Sequence, residues 1–134
     1  RGLLHVPGNW SGVVVHMVVV HFGLVHASRV RQVQRLARFI DHEVPAGAPL
    51  VVAGEFNDWS EKLDGPMADV GLQRGHAPQA SRREALTFPS LMPVFSLDRF
   101  YLRGLHCRSV LVPRGLSWAR MSDHLPLVAE LDFD

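Results

Sequence analysis

Val13-Val14-Val15-His16-Met17-Val18-Val19-Val20-His21-Phe22 is almost continuously apolar and β-branched, the pattern of a central strand covered on both faces. Gly23 to Ala27 turns the chain, and Ser28 is a suitable N-cap for a helix. Val30, Val33, Ala37, Ile40 and Val44 then recur at helical spacing with Leu36 beside them, while Arg31, Arg35, Arg38 and His42 occupy another face. Pro45-Ala46-Gly47-Ala48-Pro49 ends this helix and leads into the strand pattern Leu50 to Ala53. A strand, an amphipathic helix and a second strand in succession predict an α/β layer arrangement.

Upstream, Arg1-Gly2-Leu3-Leu4-His5-Val6 reads as mid-domain strand, not as a leader. Downstream, Asp58 to Leu86 is a long excursion in which only Met67 to Leu72 suggests a short helix. Strands resume near Leu86-Thr87-Phe88, then over Leu97 to Leu102, Ser109 to Val112 and Leu125 to Phe133. The last alternates, with Leu125, Leu127, Ala129, Leu131 and Phe133 on one face.

The 134 residues suit one domain, and a hydrophobic content of 47% supplies its core. Fourteen basic and 13 acidic residues nearly cancel, so there is no general pull toward nucleic acid or anionic membranes. Cys107 is the only cysteine, which excludes an internal disulfide and permits a reducing compartment. With no spanning stretch and no visible signal peptide, a cytoplasmic location is expected.

Three polar clusters sit at the ends of apolar runs: Gly54-Glu55-Phe56-Asn57-Asp58 after Pro49 to Ala53, Leu97-Asp98-Arg99 before Phe100 to Leu102, and Ser122-Asp123-His124 before Leu125. Carboxylates, an amide and an imidazole at strand ends can converge on one rim of a sheet, the arrangement that attack on a phosphate ester requires. In an extended run Asp98 shares a face with Phe100 and Leu102, where an acid is costly unless paired. Glu55 and Asn57 project from one side and Asp58 from the other. His21 also ends a strand, where a histidine is more often a satisfied core residue than a catalyst. Arg82-Arg83 and the helix arginines read as solvated surface. No Walker loop, dinucleotide glycine pattern, zinc spacing or serine elbow is present.

Taken in order, His21-Phe22-Gly23-Leu24, Arg31-Gln32, Val52 to Trp59, Thr87-Phe88-Pro89, Leu97 to Tyr101 and Ser122 to Leu127 resemble the endonuclease/exonuclease/phosphatase superfamily of DNase I-like enzymes. The flavour is that of its small bacterial hydrolases. The resemblance implies a C-terminal part of a four-layer αββα sandwich, with mixed and antiparallel sheets and helices outside, and a single partial domain over residues 1–134. It also implies a metal-dependent phosphohydrolase that cleaves a phosphodiester or phosphomonoester. By resemblance, Glu55 orients the attacking water and shares the metal, and Asn57 contacts phosphate. Asp98 orients a histidine, Asp123 is a metal ligand, His124 binds or protonates the phosphoryl group, and His21 contacts phosphate. The implied ion is Mg²⁺ or Mn²⁺, matched to hard oxygen ligands.

The chain departs from that pattern at two points. No glutamate precedes His21, and Asn9 lacks the family's asparagine context, so an N-terminal half of the same domain is an expected partner and the chain alone is expected to be inactive. Glu55 stands where an aspartate is usual, which moves the carboxylate outward by about an ångström, a displacement that can cost ~100-fold in rate. A non-catalytic phosphate-binding remnant is the alternative reading. The substrate is a phosphate ester, and nucleic acid is disfavoured because Asp58 to Leu86 carries no aromatic run for stacking bases. Truncation should leave apolar strand surface exposed and make the isolated chain self-associate.

Overall fold

The computed structural model describes residues 2–78 and 85–134. Arg82 and Arg83 therefore lie outside the described residues. Strand β1 (Leu3–Trp10) runs antiparallel to β2 (Val13–His21), and helix α1 (His26–Glu43) crosses over to β3 (Leu50–Glu55), which lies parallel to β2. After the short helix α2 (Asp64–Asp69) and strand β4 (Gln73–Arg74), strand β5 (Asp98–Arg103) inserts antiparallel between β3 and β4. The first sheet thus has the order β1-β2-β3-β5-β4. Strand β6 (Leu105–Leu111), the single turn α3 (Leu116–Ala119) and β7 (Val128–Phe133) complete the chain, with β6 and β7 paired antiparallel as a second sheet.

Alternation along β2, β3 and β5 divides the core in two. Val18, Val20, Leu50, Val52 and Tyr101 face α1 and meet Val33, Leu36, Ile40 and Val44. Val15, Phe100 and Leu102 face the other way and meet Leu105, Cys107, Leu127, Ala129 and Leu131 of the second sheet and its approach. The outer face of that sheet carries His106, Arg108, Glu130 and Asp132 in solvent. The layers are helix, sheet and sheet, an α/β sandwich as the sequence predicts.

Several expectations change. β2 is not covered on both faces: Val13 and Val19 are exposed because two strands of the second sheet do not reach across the whole first sheet, and Val14 is exposed on the opposite face, that of Val18 and Val20. Cross-strand register places Leu4 opposite Val19, Val6 opposite Met17 and Trp10 opposite Val13, so the exposed residues Leu4, Val6, Trp10, Val13 and Val19 form one apolar stripe. Helix α1 begins two residues before Ser28, with Val25 as an N-cap that makes no side-chain bond. The helix near Met67 starts earlier, at Asp64. Leu86 to Phe88 is no strand, but Phe88 makes an isolated bridge to Phe95. The last strand starts at Val128, not Leu125, because the preceding residues bond to a loop instead of to a neighbouring strand.

Candidate active site

Register, more than motif, assembles the site. His21 of β2 pairs with Glu55 of β3, and Glu55 pairs with Asp98 of β5. Directly opposed residues share a face, so these three side chains form a row at one end of the inter-sheet surface. Gly54 permits the row to close up. Its φ is 145°, and a Cβ there would sit 1.9 Å from the Val20 carbonyl oxygen, so no other residue fits this close approach of β3 to β2. Backbone bonds from Phe22 N to Glu55 O (2.8 Å) and from Phe56 N to Leu97 O (2.9 Å) carry the pairing past the row.

His124 joins from a loop. The loop is held because Leu125 N donates to Thr87 O and Ser90 N donates to Asp123 O, each at 2.8 Å. His124 Nδ1 donates to Asp98 Oδ2 at 2.7 Å, and Thr87 Oγ1 donates to the same oxygen at 2.6 Å. The Ser122 hydroxyl accepts from His124 N at 3.1 Å, an ST-type turn that bends the backbone where Asp123 and His124 diverge. Opposite, His21 Nε2 lies 3.4 Å from Glu55 Oε2, and the His21 side chain is 53% exposed. It is no satisfied core histidine.

Asn57 is buried and adopts φ 50°, so the extended geometry that would align it with Glu55 does not hold. One Nδ2 hydrogen is given to Phe22 O at 3.0 Å. Behind it, Asp58 is fully buried between two arginines. Arg99 donates to Asp58 Oδ2 and to Asp58 O, both at 2.8 Å, and Arg29 Nη2 stands 3.8 Å from Oδ1. Arg29 Nη1 also donates to the carbonyls of Gly23 and Leu24. The loops after β2 and β3 are thereby tied together behind His21 and Glu55. Arg29 has a readable signal, since it falls four residues before Val33 on the apolar face of α1. Thr87 has one too, as a lone polar residue between Leu86 and Phe88.

Burial alone would lower the His124 pKa, but the Asp98 hydrogen bond and the charges of Asp98, Glu55 and Asp123 raise it above the ordinary 6.5. The imidazole is consequently cationic over a wider pH range than a free histidine. Because the folded value lies above the unfolded one, this contribution to stability is full below the ordinary histidine pKa and is lost as pH rises through the raised value. In an NMR titration of the full-length protein, His124 should titrate above 6.5 and fall back when Asp98 is replaced by asparagine. An unchanged midpoint in Asp98→Asn would contradict this account.

The predicted cation ligands fit less well. Among the described residues no group of three or more His, Cys, Asp or Glu side chains is placed to hold a metal ion. Glu55 and Asp123 both act on His124, but Asp123 is exposed and its Oδ1 accepts only a long 3.4 Å bond from the Ser122 hydroxyl. The described residues do not complete a cation site by themselves. No helix among the described residues is long and apolar enough to cross a membrane.

No family model matches the sequence. The uncharacterized protein YbhP of Escherichia coli K12 is 36% identical over 134 residues, which is 98% of this chain and 52% of that protein. An endonuclease/exonuclease/phosphatase family protein from Leptotrichia buccalis superposes with a TM-score of 0.77 at 13% identity, over 98% of this chain and 54% of its own. D. rerio TDP2 complexed with a single-strand DNA product gives 0.72 at 19% identity, over 97% and 61%. The mannosyl-6-phosphatase Bt3783 of Bacteroides thetaiotaomicron gives 0.67 at 16% identity, over 92% and 53%. The chain spans about half the length of the curated relative it matches, and its fold is that of endonuclease/exonuclease/phosphatase proteins, with the His21–Glu55–Asp98 row and His124 at one end of the sandwich.

Proposed function

We propose that the full-length protein is a phosphohydrolase that cleaves a phosphodiester or phosphomonoester with water. The observation that carries this reading is the His124–Asp98–Thr87 chain of hydrogen bonds set beside the Glu55–His21 pair. An imidazole whose Nδ1 is committed to a carboxylate presents Nε2 to a substrate, and its raised pKa keeps a proton there to meet a phosphoryl oxygen or the leaving oxygen. Glu55 would orient the water, with His21 across from it contacting phosphate. The second Asn57 Nδ2 hydrogen would hold a phosphoryl oxygen. The structural likeness to a phosphatase and to a DNA-bound TDP2 supports an ester of phosphoric acid as the substrate class. Mg²⁺ or Mn²⁺ remains part of the proposal only with donors beyond the described residues; Glu55 and Asp123 are the carboxylates the described residues would contribute.

Full-length protein assayed on bis-p-nitrophenyl phosphate and p-nitrophenyl phosphate, with either metal added, tests the reading. Glu55→Gln and Asn57→Ala should each lower the rate by roughly 100-fold. Equal rates in wild type and both variants would end the assignment. The alternative, a phosphate-binding module without turnover, is favoured by Glu55 in the place of an aspartate. It predicts phosphate binding that Asn57→Ala weakens, with no hydrolysis of either ester.

A further inference from the structure

Two histidines share a hydrogen bond on the helix side of the first sheet, away from the active row. His5 Nε2 lies 2.9 Å from His16 Nδ1, with ring planes within 16° of parallel and centres 5.2 Å apart. A nitrogen-to-nitrogen bond needs a proton on one ring and a bare lone pair on the other. Register continues the row from His16 to Leu50 of β3 and on to Arg103 of β5. Arg103 is held in place by the loop after α1, donating to the carbonyls of Ala48 and Pro45. From α1 the pair receives the Phe39 ring, edge-on to His5 at 5.5 Å, while the helix charges Arg35, Arg38, Asp41, His42 and Glu43 are exposed. The groups whose charge acts on His16 are Arg103, a cation, and His5, which becomes one when protonated. His16 itself is 7% exposed. β1 is the outermost strand of its sheet, and of its eight residues only His5 and Gly8 are less than exposed. Glycine has no side chain, so His5 is the one β1 side chain seated against the body of the protein.

We propose that the His5–His16 pair is an acid-sensitive latch, closed while one ring accepts from the other and sprung when both are cationic beside Arg103, so that β1 comes away from α1. Two imidazolium rings have no acceptor between them, so the bond is lost and replaced by repulsion. Arg103 cannot retreat without giving up the Ala48 and Pro45 carbonyls. Burial, the neighbouring His5 and the Arg103 charge all lower the His16 pKa. The stabilisation is therefore full above the ordinary histidine value of 6.5 and is lost as pH falls through the depressed one. His124 acts with the opposite sign, so a global unfolding curve mixes the two and a local measurement is required. The latch is independent of the phosphohydrolase reading.

Hydrogen exchange of the full-length protein, read by mass spectrometry at about pH 7.5 and about pH 5, spans the range over which histidine changes charge. After correction for the intrinsic pH dependence of amide exchange, residues 3–10 and 44–49 should open more at the lower pH, while β5 stays protected. The opening constant should rise by roughly 10-fold for each pKa unit by which folding depresses the His16 titration. An NMR titration supplies that midpoint, which should fall below 6.5. The double variant His5→Gln, His16→Asn keeps a side-chain bond that does not titrate, and its acid-induced opening should vanish. Arg103→Gln keeps a donor for Ala48 O, removes the third cation and should move the opening to lower pH. Arg103→Gln decides the matter alone if the double variant does not fold. Equal protection of residues 3–10 at both pH values would overturn the latch. So would the same acid response in wild type and the double variant, a His16 midpoint at or above 6.5, or an unmoved opening in Arg103→Gln.

Discussion

Replacing His124 with alanine in the full-length protein is expected to lower kcat by ~10² to 10⁴, the usual contribution of a positioned acid or base. The size of the effect reflects three features that converge on one side chain. Asp98 holds Nδ1 at 2.7 Å, Thr87 fixes the same Asp98 oxygen at 2.6 Å, and the surrounding carboxylates raise the imidazole pKa. Asp98→Asn should cost less than His124→Ala but more than ~10-fold, because an amide can accept from Nδ1 through only one of its two ends. The decisive readout is the pH–rate profile. In wild type the limb that reports loss of the His124 proton should lie above the ordinary histidine value, and in Asp98→Asn it should move to lower pH. His124→Ala should abolish that limb. A uniform loss of rate with an unmoved profile would make Asp98 a packing residue only.

The largest expected effect on stability is at Asp58. Asp58→Ala should destabilise the full-length protein by about 3–5 kcal/mol, because breaking a buried pair strands the other charge. Here Arg99 has a side chain 1% exposed and Arg29 one 5% exposed, so neither guanidinium can recover its lost partner from water. Asp58→Asn keeps the shape and the acceptor for Leu63 N, which donates to Oδ2 at 2.9 Å, and should cost less. Urea unfolding followed by circular dichroism measures both, and a loss below about 1 kcal/mol in Asp58→Ala would contradict the assignment. The pH dependence has a definite sign. Burial alone would raise the Asp58 pKa, but the Arg99 hydrogen bond, backbone bonds from Leu63 and Lys62 and the Arg99 charge bring it below the usual carboxylate value. Its contribution is therefore complete above that usual value and is lost as pH falls through the depressed one.

Much of this architecture is legible in the residues alone. Asp98 does lie on the face of Phe100 and Leu102, at the end of the surface where the two sheets meet. His124 does reach it. The apolar length of β2 misleads: continuous valine predicts cover on both faces, yet Val19 stays open because cover depends on how far another sheet extends. His21 defies its expected burial for a related reason, since a strand end can be a solvent-facing rim as easily as a core.

The chain by itself determined the succession of strand, helix and strand that makes an α/β layer arrangement, because hydrophobic period and turn residues are local properties readable within one element. It also named the polar tips, since residue types at strand ends do not depend on what faces them. Tertiary structure alone decided which tips meet. The Asp98–His124 bond joins residues 26 apart and the Asp58–Arg99 pair residues 41 apart, and no periodicity specifies such distances. Register brought His21, Glu55 and Asp98 into one row, and loop packing placed Trp59 between Phe88 and Phe95. A one-residue slip of β3 would have sent Glu55 to the helix side, which is why pairing geometry, and not composition, made the site.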